Sequence, residues 1–144
     1  MKRKHINPKA LPDWSGMFSQ VVLTEKNGLK FVHISGQVGV DQDKNLVGDG
    51  GVRAQTRQAL ANLQVALDSA GVSVNDVVKL IIYVVDYQYE QAAIIREELR
   101  AVFPPERLPA LSLLGVKALA DKQFLIEIDA EVIASQAACG PLFL

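Results

Sequence analysis

Residues 124–133 read Phe-Leu-Ile-Glu-Ile-Asp-Ala-Glu-Val-Ile, so that Phe124, Ile126, Ile128, Ala130 and Val132 share one side while Glu127, Asp129 and Glu131 share the other. A period of two is strand geometry, and it commits this stretch to one apolar face against a core and one acidic face away from it. A carboxylate such as Glu127, projecting from a rigid strand beside a second apolar strand at residues 111–116 (Leu-Ser-Leu-Leu-Gly-Val), can be partly desolvated. Its pKa then rises and it becomes fitted to proton transfer. The same alternation also describes three acids that simply face water.

The rest of the chain supplies partners for this strand. Residues 18–24 and 29–35 are β-rich and are separated by a turn containing Asn27-Gly28, which provides the positive φ angles of a tight hairpin. Residues 77–85, Val-Val-Lys-Leu-Ile-Ile-Tyr-Val-Val, are almost continuously apolar and read as a central strand buried on both faces. Val52, Thr56, Ala59, Leu60, Leu63, Ala66, Leu67 and Ala70 recur at helical spacing, with Arg53, Arg57, Gln58, Asn62, Gln64 and Asp68 opposite, and Gly71 ends the helix. A turn or short helical step at Asn75-Asp76 follows. A second helix is expected over residues 89–102, with Asp86 as its cap. Its stripe is Ala92, Ile95, Leu99, Val102 and Phe103, with Glu90, Arg96, Glu97, Glu98 and Arg100 opposite, and Pro104-Pro105 stops it.

Residues 6–16 hold two prolines without periodicity and read as an extended lead-in anchored by Trp14, preceded by a solvated basic start, Met1-Lys-Arg-Lys-His5. The glycines between Gly36 and Gly51 match neither phosphate-loop spacing, and Asp41 and Asp43 lack the rest of a calcium loop. His33 has no His or Cys near it in sequence and reads as structural or solvent-facing.

The order strand, strand, helix, strand, helix, strand, strand describes a single α+β domain over residues 1–144: a mixed sheet with two helices on one face. Helices about 10 Å wide cover one face of such a sheet and leave the other bare. The composition is 49% hydrophobic. This apolar surplus and the doubly apolar strand point to a second copy as the missing cover, with ligand clefts between copies.

A formal net charge of −1 without a basic face argues against nucleic acid. One cysteine, Cys139, forms no intramolecular disulfide and fits a reducing compartment. No apolar run reaches the about 20 residues of a membrane span, and no signal-type segment follows the basic start, so a cytoplasmic protein without membrane contact is expected.

Ile34-Ser-Gly-Gln37, Gln55-Thr-Arg-Gln-Ala-Leu-Ala-Asn-Leu63, Ala70-Gly71, Asp76-Val-Val-Lys79, Tyr83-Val-Val-Asp86 and Ile126-Glu-Ile-Asp-Ala130 resemble, in order and spacing, the Rid family, also called YjgF or L-PSP endoribonuclease. The resemblance runs over residues 18–133. It implies a chorismate-mutase-like fold assembled as a homotrimer around a central barrel, with small-molecule pockets between subunits. It also implies hydrolysis of reactive enamines and imines to a ketoacid and ammonia without metal or organic cofactor. A few members are described as cleaving single-stranded RNA.

Carried over by position, the water-handling glutamate is Glu127, the pocket glycine is Gly36, and the aromatic residue, usually Tyr, is Phe18. Where imine deaminases read Pro-x-Arg-Ser, this chain reads Pro109-Ala-Leu-Ser112. Leu111 replaces the arginine that would clamp a substrate carboxylate, and leucine offers neither charge nor donor. Ser112 would contribute a backbone N–H, and Leu113, at a position often Cys, makes the pocket more apolar. Candidate substitute cations are Arg96, near a family pocket Asn, and Arg107 and Lys117, which flank the strand at 111–116; each also reads as a solvated surface residue. Three functions follow: a Rid-like hydrolase of C=N compounds with an altered substrate, a non-catalytic binding trimer, and, last, an endoribonuclease.

Overall fold

The computed structural model describes residues 1–136; Cys139 and the apolar segment 141–144 lie outside the described residues. Six strands and two α-helices follow in the order β1 (Lys2–Ile6), β2 (Val21–Lys26), β3 (Leu29–Val38), α1 (Val52–Ser69), β4 (Val77–Val85), α2 (Gln91–Arg100), β5 (Ala110–Val116) and β6 (Ile126–Ser135). The strands form one mixed sheet in the order β1-β2-β3-β6-β4-β5. Only β4 and β5 run parallel; the other pairs are antiparallel.

Local chemistry accounts for most boundaries. Asn27 and Gly28 take φ values of 52° and 76°, closing the two-residue hairpin between Lys26 and Leu29. After α1, Gly71 adopts φ 65°, and Lys30 on β3 donates to the carbonyls of Ala70 (3.0 Å) and Gly71 (3.3 Å), satisfying the helix end. The short step before β4 is a 3-10 turn over Val74–Asp76, in which Ser73 and Asp76 form a capping box.

One sheet face packs on the helices. Val21, Leu23, Val32, Ile34, Leu80, Ile82, Val84, Ile126, Ile128, Ala130 and Val132 join Ala59, Leu60, Leu63, Ala66 and Leu67 of α1, with Ile95 and Phe103, in one buried cluster. Each fully buried Leu, Ile or Val side chain contributes roughly 1.5–3 kcal/mol.

Several expectations are corrected. The basic start is solvated but not irregular: it forms edge strand β1, held to β2 by backbone pairing without an apolar face that would announce it. Strand β2 begins at Val21, and Phe18 lies instead in a turn whose backbone N–H, like that of Met17, donates to the Trp14 carbonyl. The lead-in is anchored chiefly by Leu11, 2% exposed; Trp14 is half-buried, stacked on Phe18 and covered by the Lys44 ammonium 4.3 Å from its ring centre.

Helix α2 is shorter than its periodicity suggests, and Asp86, at φ 48°, does not cap it; Glu90 holds that position without a side-chain bond. Glu98 and Asn62, read as outward, are both buried, because each finds specific partners. Strand β4 is fully buried on the Leu80, Ile82, Val84 side only, while Lys79, Ile81, Tyr83 and Val85 are half-covered, since both helices lie on the other face. The acidic strand and the Leu111-containing strand are not neighbours: β4 lies between them.

Candidate functional site

The sheet face turned away from the helices carries the acids. Alternation along β6 places Glu127, Asp129 and Glu131 there, opposite buried Ile126, Ile128, Ala130 and Val132. The three acids differ. Glu131 is exposed and lies 3.9 Å from the exposed ring of His33, whereas Glu127 and Asp129 are half-buried. Desolvation, followed by the charge of Asp129, raises the pKa of Glu127 above the ordinary carboxylate value. Desolvation raises Asp129 too, opposed by the hydroxyl of Tyr83, which donates to its Oδ2 at 3.2 Å. The Tyr83 hydroxyl is itself pushed up, first by burial and then by the Asp129 charge.

Glu127 fits only because of Gly36. The pairing of β3 with β6 slips between Ile34 and Gln37, and this bulge brings the Gly36 backbone against the Glu127 side chain. A Cβ on Gly36 would overlap the Glu127 carboxylate. Polar side chains, Gln20 and Gln37 among them fully buried, fix the bulge. Ser35 donates through Oγ to the Ser19 carbonyl (2.7 Å), tying the segment after Phe18 to it. The Gln37 amide donates to Gln20 Oε1 (2.9 Å) and to the Ser35 carbonyl (2.8 Å).

Asn62 and Gln55, which lie in the stretch 55–63 that carries the family resemblance but were assigned no role in it, support the site from α1. The amide of Asn62 donates to the carbonyls of Val38 and Val40, both at 2.9 Å, just past the bulge. Gln55 is fully buried; its amide donates to the carbonyls of Gly50 and Gln123, and its carbonyl accepts from the Leu125 N–H, each at 2.9 Å. It thereby sets the approach to β6 one residue before that strand begins. Polar residues on a helix ordinarily read as solvent-facing, so the signals are their place in the stretch 55–63 and their position among buried neighbours.

The remaining candidates fall elsewhere. Leu111 pairs in register with Leu80 and so faces the helix side, where it lines a groove with Arg96, Leu99, Arg100, Phe103, Leu108 and Pro109. Leu113, two residues on, packs against the core. Ser112 points to the acidic face, where its Oγ accepts from the Lys79 ammonium at 2.8 Å. The chain thus brings Gly36 to Glu127 and Arg96 to Leu111, but sets these two groups on opposite faces of the sheet. Arg107 and Lys117 do not line the groove. Among the described residues no His, Cys, Asp and Glu side chains converge as a metal-binding group, and no helix is long and apolar enough to cross a membrane.

Comparison with known proteins places this geometry. The family description Endoribonuclease L-PSP matches residues 9–135. A RutC family protein of Pyrococcus horikoshii is 36% identical over 115 residues, spanning 80% of this chain and 85% of that one. The 2-iminobutanoate/2-iminopropanoate deaminase of Rattus norvegicus is 33% identical over 128 residues, spanning 89% and 88%. The crystal structure of RidA from the Antarctic bacterium Psychrobacter sp. superposes with a TM-score of 0.77 at 29% identity, covering 91% of this chain and 99% of that one. Sequence and fold therefore agree that the chain belongs to the Endoribonuclease L-PSP family, the Rid or YjgF proteins.

Proposed function

We propose that this protein is a deaminase-like hydrolase of reactive imines or enamines, converting a C=N bond and water into a carbonyl and ammonia. The relatives named as imine deaminases support the reaction class. The observation that carries the reading in this chain is the carboxylate of Glu127, half-buried, raised in pKa and seated against the bare backbone of Gly36. A carboxylate whose pKa is raised by burial is better matched to proton transfer than an exposed acid.

Glu127 takes a proton from water as the water oxygen bonds to the imine carbon, and the C=N π electrons move to nitrogen, which gains a proton from solvent. Glu127 then returns its proton to the nitrogen of the carbinolamine. The C–N bond of that adduct then breaks, its electron pair leaving with ammonia, while the hydroxyl loses its proton to solvent and the carbonyl forms. Phe18 retains a ring but no hydroxyl for this cycle, so solvent supplies the proton that a tyrosine could offer. Backbone N–H groups beside Gly36 and Ser112 are candidate stabilisers of developing charge. The separation of Leu111, Leu113 and Arg96 from Glu127 within one chain supports a homotrimer in which one copy's groove completes the next copy's acidic site. The half-covered face of β4 supports the same assembly.

The decisive assay generates imines in place with an amino-acid oxidase and traps the remainder with semicarbazide. Native protein accelerates imine loss, and Glu127→Gln abolishes the acceleration. Equal rates with and without native protein, for imines of amino acids running from acidic to large apolar side chains, would instead favour a trimer that binds small molecules in its apolar groove without turning them over, a reading that Leu111 and Leu113 support.

A further inference from the structure

The slip between β3 and β6 leaves a second carboxylate beside Glu127. Ala130 pairs with Ile34 and Ile128 with Gln37, so Asp129 alone stands opposite both Ser35 and Gly36. The alternation of β6 turns Asp129 to the same face as Glu127, and the register with β4 sets Ile81 beside Asp129 and Tyr83 beside Glu127. From that position the Tyr83 hydroxyl reaches diagonally and donates to Asp129 Oδ2 at 3.2 Å. Asp129 also opens on a hollow of about 180 Å³, lined by His33, Lys79, Ile81 and Glu131 as well. At about 30 Å³ per water-sized group, the hollow has room for about six.

Neither acid has a cation. Among the described residues no Lys, Arg or His nitrogen lies within 4.0 Å of the Glu127 or Asp129 carboxylate. The cations that line the hollow are engaged elsewhere: the Lys79 ammonium donates to Ser112 Oγ at 2.8 Å, and the His33 ring lies 3.9 Å from the exposed Glu131 carboxylate. Two half-buried carboxylates side by side repel, and burial disfavours the charge of each. At Asp129 the hydroxyl of Tyr83 works against burial and favours the ionised form. The face is thus short of positive charge, and a small cation arriving between the two acids relieves it.

Imine hydrolysis makes such a cation, because the nitrogen of C=N becomes positive when it takes its proton from solvent. Glu127 and Asp129 are two residues apart on one strand, about 6.8 Å along it. A water hydrogen-bonded to Glu127 at about 2.8 Å and a carbon about 3.0–3.5 Å beyond it occupy a span of that order, with the nitrogen toward Asp129. Resting on the hydrolase reading above, we infer that Asp129 is a second catalytic residue, its carboxylate the counter-charge to the protonated imine nitrogen. Glu127 takes the proton of the attacking water, and Tyr83 is the positioning residue that holds Asp129. The new C–O bond uses a lone pair of the water oxygen, the C=N π pair goes to nitrogen, and Asp129 itself exchanges no proton.

The oxidase and semicarbazide assay gives rates for native protein, Asp129→Asn, Tyr83→Phe, the double variant, and Glu131→Gln, which removes an exposed acid of the same face. Asp129→Asn should lower kcat about 100-fold with KM moved less than about threefold, the mark of an interaction made in the transition state. Glu131→Gln should stay within about twofold of native. Tyr83→Phe should move the acidic limb of the rate profile to higher pH, because Asp129 then ionises later, and should regain most of the native rate above it. The double variant should follow the profile of Asp129→Asn alone, since Tyr83 acts through Asp129. A native kcat in Asp129→Asn, an equal loss in Glu131→Gln, or a limb that Tyr83→Phe leaves in place would each overturn the proposal. Asn keeps the volume of Asp and removes a charge that burial opposes, so Asp129→Asn should unfold at or above the native temperature near neutral pH.

Acetamidinium, a stable planar cation containing a C=N bond, reads the same site without turnover when its binding is compared by calorimetry with that of neutral acetamide. Native protein and Glu127→Gln should bind the cation about tenfold tighter than the amide, and Asp129→Asn should lose that preference. A preference that survives in Asp129→Asn overturns the assignment. Failure of the underlying reading is separable. Without any native hydrolysis the hydrolase reading falls and the catalytic role of Asp129 falls with it, even where an Asp129-dependent amidinium site remains. Glu127-dependent hydrolysis that Asp129→Asn leaves unchanged sinks the second residue alone.

Discussion

The carboxylate of Glu127 occupies the space that a Cβ on Gly36 would need. Gly36 does not take a left-handed conformation, so an alanine there meets no backbone strain, only the carboxylate. Gly36→Ala should therefore displace Glu127, suppress imine hydrolysis, and cost about 1–3 kcal/mol by overpacking. Urea unfolding of Gly36→Ala, Glu127→Ala and the double variant checks the cause. The two costs should be clearly non-additive, the double variant being more stable than the sum of the single effects predicts. Additive costs would mean that the two residues do not meet.

Glu127 and Asp129 both have folded pKa values above their ordinary ones. Their contribution to stability is therefore greatest below the ordinary carboxylate pKa and is lost as pH rises through the raised folded values. In Asp129→Asn the loss should shrink without vanishing, because burial is the larger cause at Glu127. If ionised Glu127 is the base, the acidic limb of the hydrolysis profile should also move to lower pH in this variant. Denaturation midpoints and rates over a pH series from acid to neutral test both movements.

Tyr83→Phe removes the hydroxyl that helps keep Asp129 ionised, so the Asp129 pKa should climb further. An NMR titration of the Asp129 carboxyl carbon reads this directly. An unchanged or lowered midpoint would contradict the hydrogen bond.

Glu98 shows the opposite linkage. Hydrogen bonds from Arg57 and Arg53 pull its pKa down against the penalty of burial. Its stabilisation is present above the ordinary carboxylate range and fades as pH falls through the depressed value. Both arginines reach solvent, so Glu98→Gln should cost about 1–2 kcal/mol, less than a fully buried pair. The cost should disappear in strongly acidic solution; a deficit independent of pH would indicate packing instead of charge.

Gln55→Leu leaves the Leu125 N–H and the Gln123 carbonyl without their helix partner. A cost of about 2 kcal/mol is expected from the unpaired polar groups. Hydrogen exchange at Leu125 should quicken while exchange at Leu23 in β2 stays slow.

How legible these relationships are in the sequence depends on the range of the interaction involved. The Asn27-Gly28 turn, the Gly71 helix end and the alternation along β6 follow from neighbours in the chain, and the structure repeats them closely. Strand β1 carries no apolar alternation because its support is a backbone ladder to β2, which leaves no mark on side chains. Glu98 and Asn62 look like surface residues until their partners, Arg57 and the carbonyls of Val38 and Val40, arrive from distant sequence. Within the candidate site, Glu127 and Gly36 were readable as positions, but their contact depends on the bulge, whose one-residue slip no local pattern announces. The division of Leu111 from Glu127 follows from β4 lying between their strands and from the registers that turn the two side chains to opposite faces, which are matters of long-range pairing and not of local pattern.

That strand order also bears on how the protein is made. Strands β3 and β4 never pair with each other; each pairs with β6, which lies between them. Until residues 126–135 have left the ribosome, the β1-β2-β3 and β4-α2-β5 portions have no strand in common, and each presents an unpaired edge open to association with other chains. The pairing that joins them spans most of the chain and is slow to form. Glu127 enters with the strand that closes the sheet, so the candidate site comes into being only with the finished fold, and a nascent chain stalled before residue 126 would have neither a joined core nor an acid to place in it.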